Sequence, residues 1–170
     1  MKIGLVFGST TGNTHDIAES IQERLSDHID ECLDIDSVDL DDLTKFDVLL
    51  VGIPTWDVGG LQDSWEYKMS DVEKLSFKGI RVAFFGEGDQ SGYPENYQDA
   101  MGIVREVLVA RGAQADIGHW EKDDYDFEES KALIGDKFCG LALDTLNQDD
   151  LTEERIEKWC SQLEEELELN

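Results

Sequence analysis

The 170-residue chain carries 40 Asp and Glu residues against 14 Lys and Arg, which gives a formal net charge of −26. Such a negative field repels nucleic acids and anionic membrane surfaces and attracts basic protein patches. Hydrophobic residues make up 40% of the chain, enough for a folded core and too many for a disordered acidic tail. The length favours a single domain that comprises residues 1–170. No apolar run approaches the roughly 20 residues that span a bilayer.

The three cysteines, Cys32, Cys139 and Cys160, are widely separated and form no Cys-x-x-Cys pair. This spacing argues against a zinc site, an iron–sulfur cluster or a disulfide framework, so we predict no metal site and interpret the thiols as structural. The first residues enter a strand-like segment without the pattern of a signal peptide. We therefore expect a cytoplasmic protein whose cysteines carry no redox chemistry.

Short apolar runs bounded by glycine recur along the chain. The runs Ile3–Phe7, Val48–Ile53 and Ile80–Phe85 predict strands buried on both faces, as in a parallel sheet. Glu31–Ile35 predicts a further, weaker strand. A last strand position is predicted in two pieces, Ala113–His119 and Phe138–Leu143.

Helical patterns alternate with these strands, which predicts βαβ units around one parallel sheet. Between Trp120 and Ser130 the chain is rich in Asp and Glu, and we interpret this segment as an insertion near the last strand. Asp150 and Thr152 are candidate caps of the last helix. The helical stripes are Ile17, Ile21 and Leu25; residues Gln62–Ser70; Ile103, Val104, Val107 and Leu108; and Ile156, Trp159, Leu163 and Leu167.

A hydroxyl-rich turn lies between the first predicted strand and the first helix. Backbone N–H groups at a helix N-terminus bind anions, and hydroxyls add donors, so the turn predicts a phosphate site. It contains no Lys or Arg, which excludes a P-loop, and it lacks the glycine pattern of dinucleotide folds. We predict a bound phosphate monoester; the alternative is an ordinary Ser/Thr-rich helix cap. The residues of the turn are Ser9, Thr10, Thr11, Gly12, Asn13 and Thr14.

Two glycine-containing loops follow the next central strands, and each holds one large aromatic residue. Open α/β sheets bind ligands at the carboxyl ends of their strands, and a flat heterocycle would stack between Trp56 and Tyr93. A single loop aromatic is more often a packing residue, so the prediction depends on the combination of these two loops with the hydroxyl-rich turn. The relevant residues are Pro54, Thr55, Trp56, Asp57, Val58, Gly59 and Gly60 in one loop, and Gly88, Asp89 and Tyr93 in the other.

These motifs resemble those of the flavodoxins, in particular the long-chain class. Leu5–Thr14 is similar to the family signature, the loops at Pro54–Trp56 and Gly88–Tyr93 to its flavin loops, and Leu141–Arg155 to the C-terminal part of long-chain members. The resemblance implies an α/β, flavodoxin-like three-layer sandwich. Its five-stranded parallel sheet would have the order 2-1-3-4-5, with helices on both faces and an insertion in the last strand. This order is carried over from the family and is not worked out from the residues.

The resemblance also implies one non-covalently bound FMN, with its phosphate on the Ser9–Thr14 turn and its ring between Trp56 and Tyr93. Asp89 and its loop would lie near the pyrimidine edge of the ring. In the family, a backbone carbonyl after the loop tryptophan accepts a hydrogen bond from the reduced flavin. Asp57 stands there in this chain, where many long-chain members have Asn or Tyr, and Gly59 would ease the turn of the peptide.

The implied function is that of a low-potential one-electron carrier without catalytic residues. As a monomer it would receive electrons from a donor of the ferredoxin/flavodoxin–NADP reductase type and pass them to acceptor redox enzymes. The contacts would be transient and electrostatic, with no nucleic acid bound and no insertion into a membrane.

Two other classes of protein share this kind of fold. An FMN-dependent quinone reductase needs an open pocket over the ring, which the Tyr93 loop would cover. A receiver-type signalling domain needs acidic residues after its first strand and a phosphate-accepting Asp after its third. This chain has Gly8-Ser9 and Pro54-Thr55-Trp56 at those places, so we expect neither class.

Overall fold

The chain forms ten β-strands and four α-helices, and the computed structural model describes all 170 residues. The strands are β1 (Ile3–Phe7), β2 (Ile29–Asp34), β3 (Val48–Gly52), β4 (Thr55–Trp56), β5 (Gly60–Leu61), β6 (Arg81–Glu87), β7 (Trp120–Glu121), β8 (Leu133–Ile134), β9 (Lys137–Phe138) and β10 (Gly140–Leu143). The helices are α1 (Asn13–Arg24), α2 (Asp63–Val72), α3 (Asp99–Ala110) and α4 (Thr152–Glu166). None of the helices has the length and apolar character needed to cross a membrane.

Five of the strands form a parallel sheet in the order β2-β1-β3-β6-β10. This confirms the order 2-1-3-4-5 and the flavodoxin-like sandwich that the resemblance implied. Strands β1, β3 and β10 are buried along their whole length, whereas β2, at one edge, is only partly covered. The continuous apolar runs therefore mark the central strands, and the weaker run marks the edge.

Side chains that alternate along the strands supply two separate cores, one on each face of the sheet. Leu5 of β1 packs with α1 and α4 residues such as Ile17 and Trp159, whereas Val6 belongs to the core on the opposite face with Trp65 and Val104. Because successive strand residues point to opposite faces, β1 contributes to both cores. The result is three layers, with α1 and α4 on one side and α2 and α3 on the other.

The last strand position is interrupted by an insertion, as predicted, but the pieces are shorter than expected. Only Gln114 of the first predicted piece pairs with β6, through a single bridge to Arg81, and the second piece begins at Gly140. Phe138 belongs instead to a small antiparallel sheet, β7-β9-β8. The prediction of strands over Ala113–His119 and the whole of Phe138–Leu143 was therefore wrong in extent, because apolar character alone does not reveal which backbone finds a partner.

Aromatic side chains anchor the inserted acidic segment to the rest of the molecule. Tyr125 and Phe127 pack against Phe138, with ring centroids 5.2 and 5.3 Å apart. The Trp120 indole donates to the Tyr125 hydroxyl at 2.8 Å, and that hydroxyl donates to the Ala142 carbonyl of β10 at 2.5 Å. The acidic segment is therefore folded onto the molecule through aromatic side chains that are partly buried.

The start of α4 differs from the prediction. Asp150 lies in a short 3-10 helix over Asp149–Leu151, and Thr152 is already the first residue of α4. No side chain caps either helix, so the expectation that Asp150 or Thr152 is a cap was wrong. The preceding 3-10 turn occupies the position where a capping loop would stand.

Substitution of Gly102 tests how α3 packs on the insertion. A Cβ at this position would lie 2.2 Å from the Lys131 carbonyl oxygen, which is a backbone atom and cannot move aside cheaply. Alanine favours a helix over glycine by about 1 kcal/mol, but we expect Gly102→Ala to lower the free energy of unfolding by about 1–3 kcal/mol because of the clash. Urea denaturation measures this change. Ser161→Ala, at an exposed position of α4, is the control and should change stability little; a stabilised Gly102→Ala would contradict the packing.

Candidate functional site

A cavity of about 490 Å³ opens where β1, β3, β6 and β10 end. The carboxyl ends of parallel strands lie at one edge of a sheet, and this is the edge at which the sequence predicted a ligand. Two of the lining residues are hydrophobic, so the wall is mostly polar. The lining residues are Ser9, Thr10, Thr11, Asn13, Thr14, Pro54, Thr55, Trp56, Glu87, Gly88, Asp89, Thr145, Leu146 and Asp149.

The predicted site residues divide into those that line the cavity and those that do not. All of the hydroxyl-rich turn except Gly12 lies in the wall, together with Pro54, Thr55 and Trp56 of the second loop and Gly88 and Asp89 of the third. The residues outside the lining are Gly12, Asp57, Val58, Gly59 and Tyr93. Tyr93 is 38% exposed, so the ring-stacking role assigned to it stays a prediction.

The hydroxyl-rich turn forms the N-terminus of α1. Gly12, with a φ of 96°, is the N-cap residue, and no side chain caps the helix. The N–H groups of the first helical turn therefore lack partners within the helix. Gln62 supports the turn from behind, since its amide donates to the Thr10 hydroxyl at 2.9 Å, and Ser9 accepts from the Gly12 N–H at 3.1 Å. A compact set of neutral donors thus faces the cavity.

The second loop is a tight hairpin between β4 and β5. Trp56 pairs with Gly60, and the three residues between them turn the chain. Asp57 and Gly59 both have positive φ, 47° and 79°, and a Cβ on Gly59 would lie 2.7 Å from an oxygen of Asp99. The hairpin therefore requires glycine at 59, both for its backbone conformation and for its approach to α3. Its tip, Val58, is 75% exposed.

The third loop uses the Asp89 side chain to hold its own turn. One carboxylate oxygen accepts hydrogen bonds from the N–H groups of Ser91 and Gly92 and from the Asn147 amide at 2.8–3.1 Å. Burial raises the pKa of Asp89, but these hydrogen bonds outweigh it and hold the pKa below its ordinary value. Asp89 is therefore ionised, its carboxylate stabilises the turn of its own loop, and the residue also lines the cavity.

A buried carboxylate ties this loop to the segment that follows β10. Asp144 is fully buried and accepts hydrogen bonds from the N–H and side-chain amide of Gln90, at 3.0 and 2.8 Å. It also accepts from the N–H and amide of Asn147, at 2.9 to 3.1 Å. Gln90 in turn accepts from the Asp126 N–H at 2.7 Å, which links the insertion to the same network. The network positions the wall of the cavity without contacting its interior.

Four lining residues were missed by sequence reasoning: Glu87, Thr145, Leu146 and Asp149. Glu87 falls in the loop after the predicted strand Ile80–Phe85, where it was given no role, and the others follow β10, a strand whose start was misplaced. The rule that ligands bind at the carboxyl ends of parallel strands also applies to β10, at the edge of the sheet, so that rule could have found Thr145 and Asp149.

Glu87 has an unusual environment for a carboxyl group. Its Oε1 accepts from the Thr145 hydroxyl at 2.6 Å and from the Thr145 N–H at 3.1 Å. Burial raises the pKa of Glu87 from 4.5 to about 7; the Thr145 hydrogen bonds oppose the rise, and the charges of Asp144 and Asp149 add to it. No Lys, Arg or His lines the cavity, so nothing cationic offsets its carboxylates.

The fold and the cavity together define an open α/β domain of the flavodoxin type. The sequence profile described as Flavodoxin matches residues 5–159. The flavodoxin of Synechococcus elongatus is 48% identical over 98% of this chain and 98% of its own length, and Flavodoxin 1 of Escherichia coli is 45% identical over 98% and 95%. The crystal structure of Fusobacterium nucleatum flavodoxin bound to flavin mononucleotide is 27% identical and superposes with a TM-score of 0.90, covering 97% of this chain and 98% of that one.

The chain belongs to the flavodoxin family. Flavodoxins are electron-transfer proteins and not enzymes, and this holds for the relatives matched over nearly the whole chain. The family expected from the motifs is thereby confirmed.

Removing the Asp144 carboxylate tests whether the buried network holds the loops in place. Asp144→Ala leaves four donors without their acceptor, and we expect the free energy of unfolding to fall by at least about 2 kcal/mol. Chemical denaturation measures the loss, and amide hydrogen exchange should show increased opening of residues 88–93.

Asp136→Ala, which removes an exposed carboxylate, is the matched control for the charge change. Equal stability of the two variants would contradict a positioning role for Asp144.

Proposed function

We propose that residues 1–170 form one domain that binds a single FMN non-covalently and carries single electrons at low potential. The observation that carries this proposal is the cavity itself, where a cation-free set of donors and a tryptophan lie at the carboxyl ends of the central strands. The flavin supplies the redox chemistry when it is bound, and the protein binds it and tunes it. The flavin mononucleotide named with the F. nucleatum structure supports this choice of cofactor.

The donors of the cavity fit a phosphate monoester. The hydroxyls of Ser9, Thr10, Thr11 and Thr14 and the amide of Asn13 line one end of the cavity. The uncapped N-terminus of α1 adds N–H groups and the positive end of a 12-residue helix. We propose that Ser9, Thr10, Thr11, Gly12, Asn13 and Thr14 hold the phosphate.

The opposite part of the wall suits a flat ring with polar edges. Trp56 is half-buried and offers the one large aromatic face of the lining, and Pro54 lies beside it. We assign ring contacts to Pro54, Thr55 and Trp56, with Asp57, Val58 and Gly59 in the adjoining hairpin, and with Gly88, Asp89 and Tyr93 on the other side. The Thr55 hydroxyl accepts a hydrogen bond from the Ala100 N–H at 3.0 Å, which fixes the side chain and leaves its O–H free to donate.

The hairpin backbone supplies the acceptor that we assign to the flavin ring. Positive φ at Asp57 and Gly59 leaves the peptide groups around Val58 free of the β4–β5 pairing. Glycine at 59 tolerates both orientations of a neighbouring peptide, so a carbonyl here can turn towards the ring and accept a hydrogen bond from a ring N–H.

The electrostatics of the cavity lower the potential for adding negative charge. Asp89 and Asp149 line the cavity, and the chain as a whole carries −26. In a site of reduced dielectric constant, each nearby carboxylate disfavours an extra electron on the bound group. This is the basis for the low potential that we propose.

Partners would dock at the edge where Val58 and Leu146 are exposed, at 75% and 73%. Asp57 and Asp149 flank these apolar tips, so the surface suits a basic partner that binds briefly and in a salt-dependent manner. We propose a donor of the ferredoxin/flavodoxin–NADP reductase type and redox-enzyme acceptors. Monomeric state and cytoplasmic location stay predictions.

Anaerobic reduction of the FMN-loaded protein tests the proposed function. We expect one FMN per chain and two separated one-electron steps, the second at the lower potential because the cavity already holds carboxylates. Visible spectroscopy at controlled potentials measures both steps. A single two-electron step would support the quinone reductase alternative, and no FMN binding would refute both.

Trp56→Ala and Tyr67→Ala separate cavity effects from general effects. Trp56 lines the cavity, whereas Tyr67 is an 82% exposed aromatic on α2 outside it. Loss of stacking costs about 1 kcal/mol or more, so we expect Trp56→Ala to raise the Kd for FMN at least about fivefold while Tyr67→Ala leaves it unchanged.

A further inference from the structure

Glu87 is the part of the cavity that the proposed function leaves unexplained. It ends β6, it is half-buried, and its carboxyl group is fixed by Thr145 against the cavity wall. Glu87 lines the same cavity as the turn at residues 9–14, and a carboxylate there repels a bound phosphate dianion, so an ionised Glu87 opposes the binding of FMN. A protonated Glu87 has no such effect and offers an O–H donor instead.

The groups around Glu87 give it no positive partner. Asp144 and Asp149 add negative charge from the segment after β10, and Asp89 does so from its own loop. The turn at 9–14 has no ionisable side chain, and only the N-terminus of α1 is electropositive. With its pKa raised to about 7, chiefly by burial, the carboxyl group is divided between its two forms near neutral pH.

We propose that Glu87 is a proton-linked specificity residue of the FMN site, which takes up one proton from solvent when the phosphate dianion binds. The proton goes to the Glu87 carboxylate, and the cavity gains one net negative charge where it would otherwise gain two. The protonated carboxyl then presents a donor to the cavity. This inference rests on the proposed function, because it concerns the phosphate of the same ligand.

The proposal makes the affinity for FMN depend on pH in a defined direction. Above pH 7 the free protein must be protonated before it binds tightly, so the Kd rises towards tenfold per pH unit. The second ionisation of a phosphate monoester, near pH 6, has the opposite effect, but it is shared by every variant. The ratio of the wild-type Kd to that of Glu87→Gln should therefore rise about tenfold between pH 6 and pH 8. Glutamine mimics the neutral acid and cannot titrate.

Isothermal titration calorimetry at pH 8, in two buffers of different ionisation enthalpy, counts the protons directly. We expect the wild-type protein to take up about 0.9 proton per FMN, because about nine tenths of a group with a pKa of 7 is ionised at pH 8. Glu87→Gln should take up none and bind FMN about tenfold more tightly than wild type at this pH. Glu106→Gln, an exposed carboxylate on α3 outside the cavity, is the control and should behave as wild type.

Riboflavin, which lacks the phosphate, provides a second test that needs no variant. Wild-type protein should bind riboflavin at pH 8 without the proton uptake seen with FMN. Equal uptake with both ligands would overturn the link to the phosphate, and FMN binding without uptake, with an unchanged Kd ratio for Glu87→Gln, would overturn the role of Glu87. In both cases the proposed function would stand, whereas absence of FMN binding would refute it together with this inference.

Discussion

Four strands that end at the cavity, β1, β3, β6 and β10, run parallel, so the segments after them must share one edge of the sheet. This constraint brings a helix N-terminus, a tryptophan hairpin and two acidic loops together, although they are up to 140 residues apart in sequence. Loops so close to a buried core need partners for their backbone groups. Buried polar side chains meet that need: Asp144 binds the loop after β6, and the Gln98 amide donates to the carbonyls of Gly86 and Leu143 at 3.1 and 3.0 Å.

The same edge has a distinctive electrostatic character. It presents neutral hydroxyls and amides at the N-terminus of α1, with carboxylates nearby and no cationic side chain in the lining. A phosphate would thus be held by oriented dipoles and not by ion pairs. The negative surroundings that would make this binding harder would also disfavour an added electron on the bound group. The same negative charge would therefore weaken the binding of the cofactor and lower its reduction potential.

Much of this architecture was accessible from the sequence, and the reasons can be named. Continuous apolar runs identified β1 and β3 because strands buried on both faces carry apolar residues at nearly every position, without alternating polar ones. The turn at 9–14 was found because its hydroxyls lie directly between a strand and a helix. The strand order, in contrast, came only from the family resemblance, since pairing between strands leaves no local trace.

Other features escaped because they depend on contacts far apart in the chain. The acidic insertion looked solvated, yet Tyr125 and Phe127 pack it onto the fold. Glu87 gave no signal of its own, since its burial and its bonds to Thr145 arise from residues 58 positions away. The role of Asp144 could not be predicted either. An Asp after a strand is common, and only the hydrogen bonds that it accepts from four donor groups distinguish it.

The central claim is that the N-terminus of α1 holds the phosphate of a bound FMN. Amide ¹H–¹⁵N spectra of the protein with FMN and with riboflavin test this most directly, because the two ligands differ only by that phosphate. We expect the largest differences between the two spectra on residues 9–14. Differences concentrated at the hairpin of residues 56–60, with residues 9–14 unchanged, would contradict it.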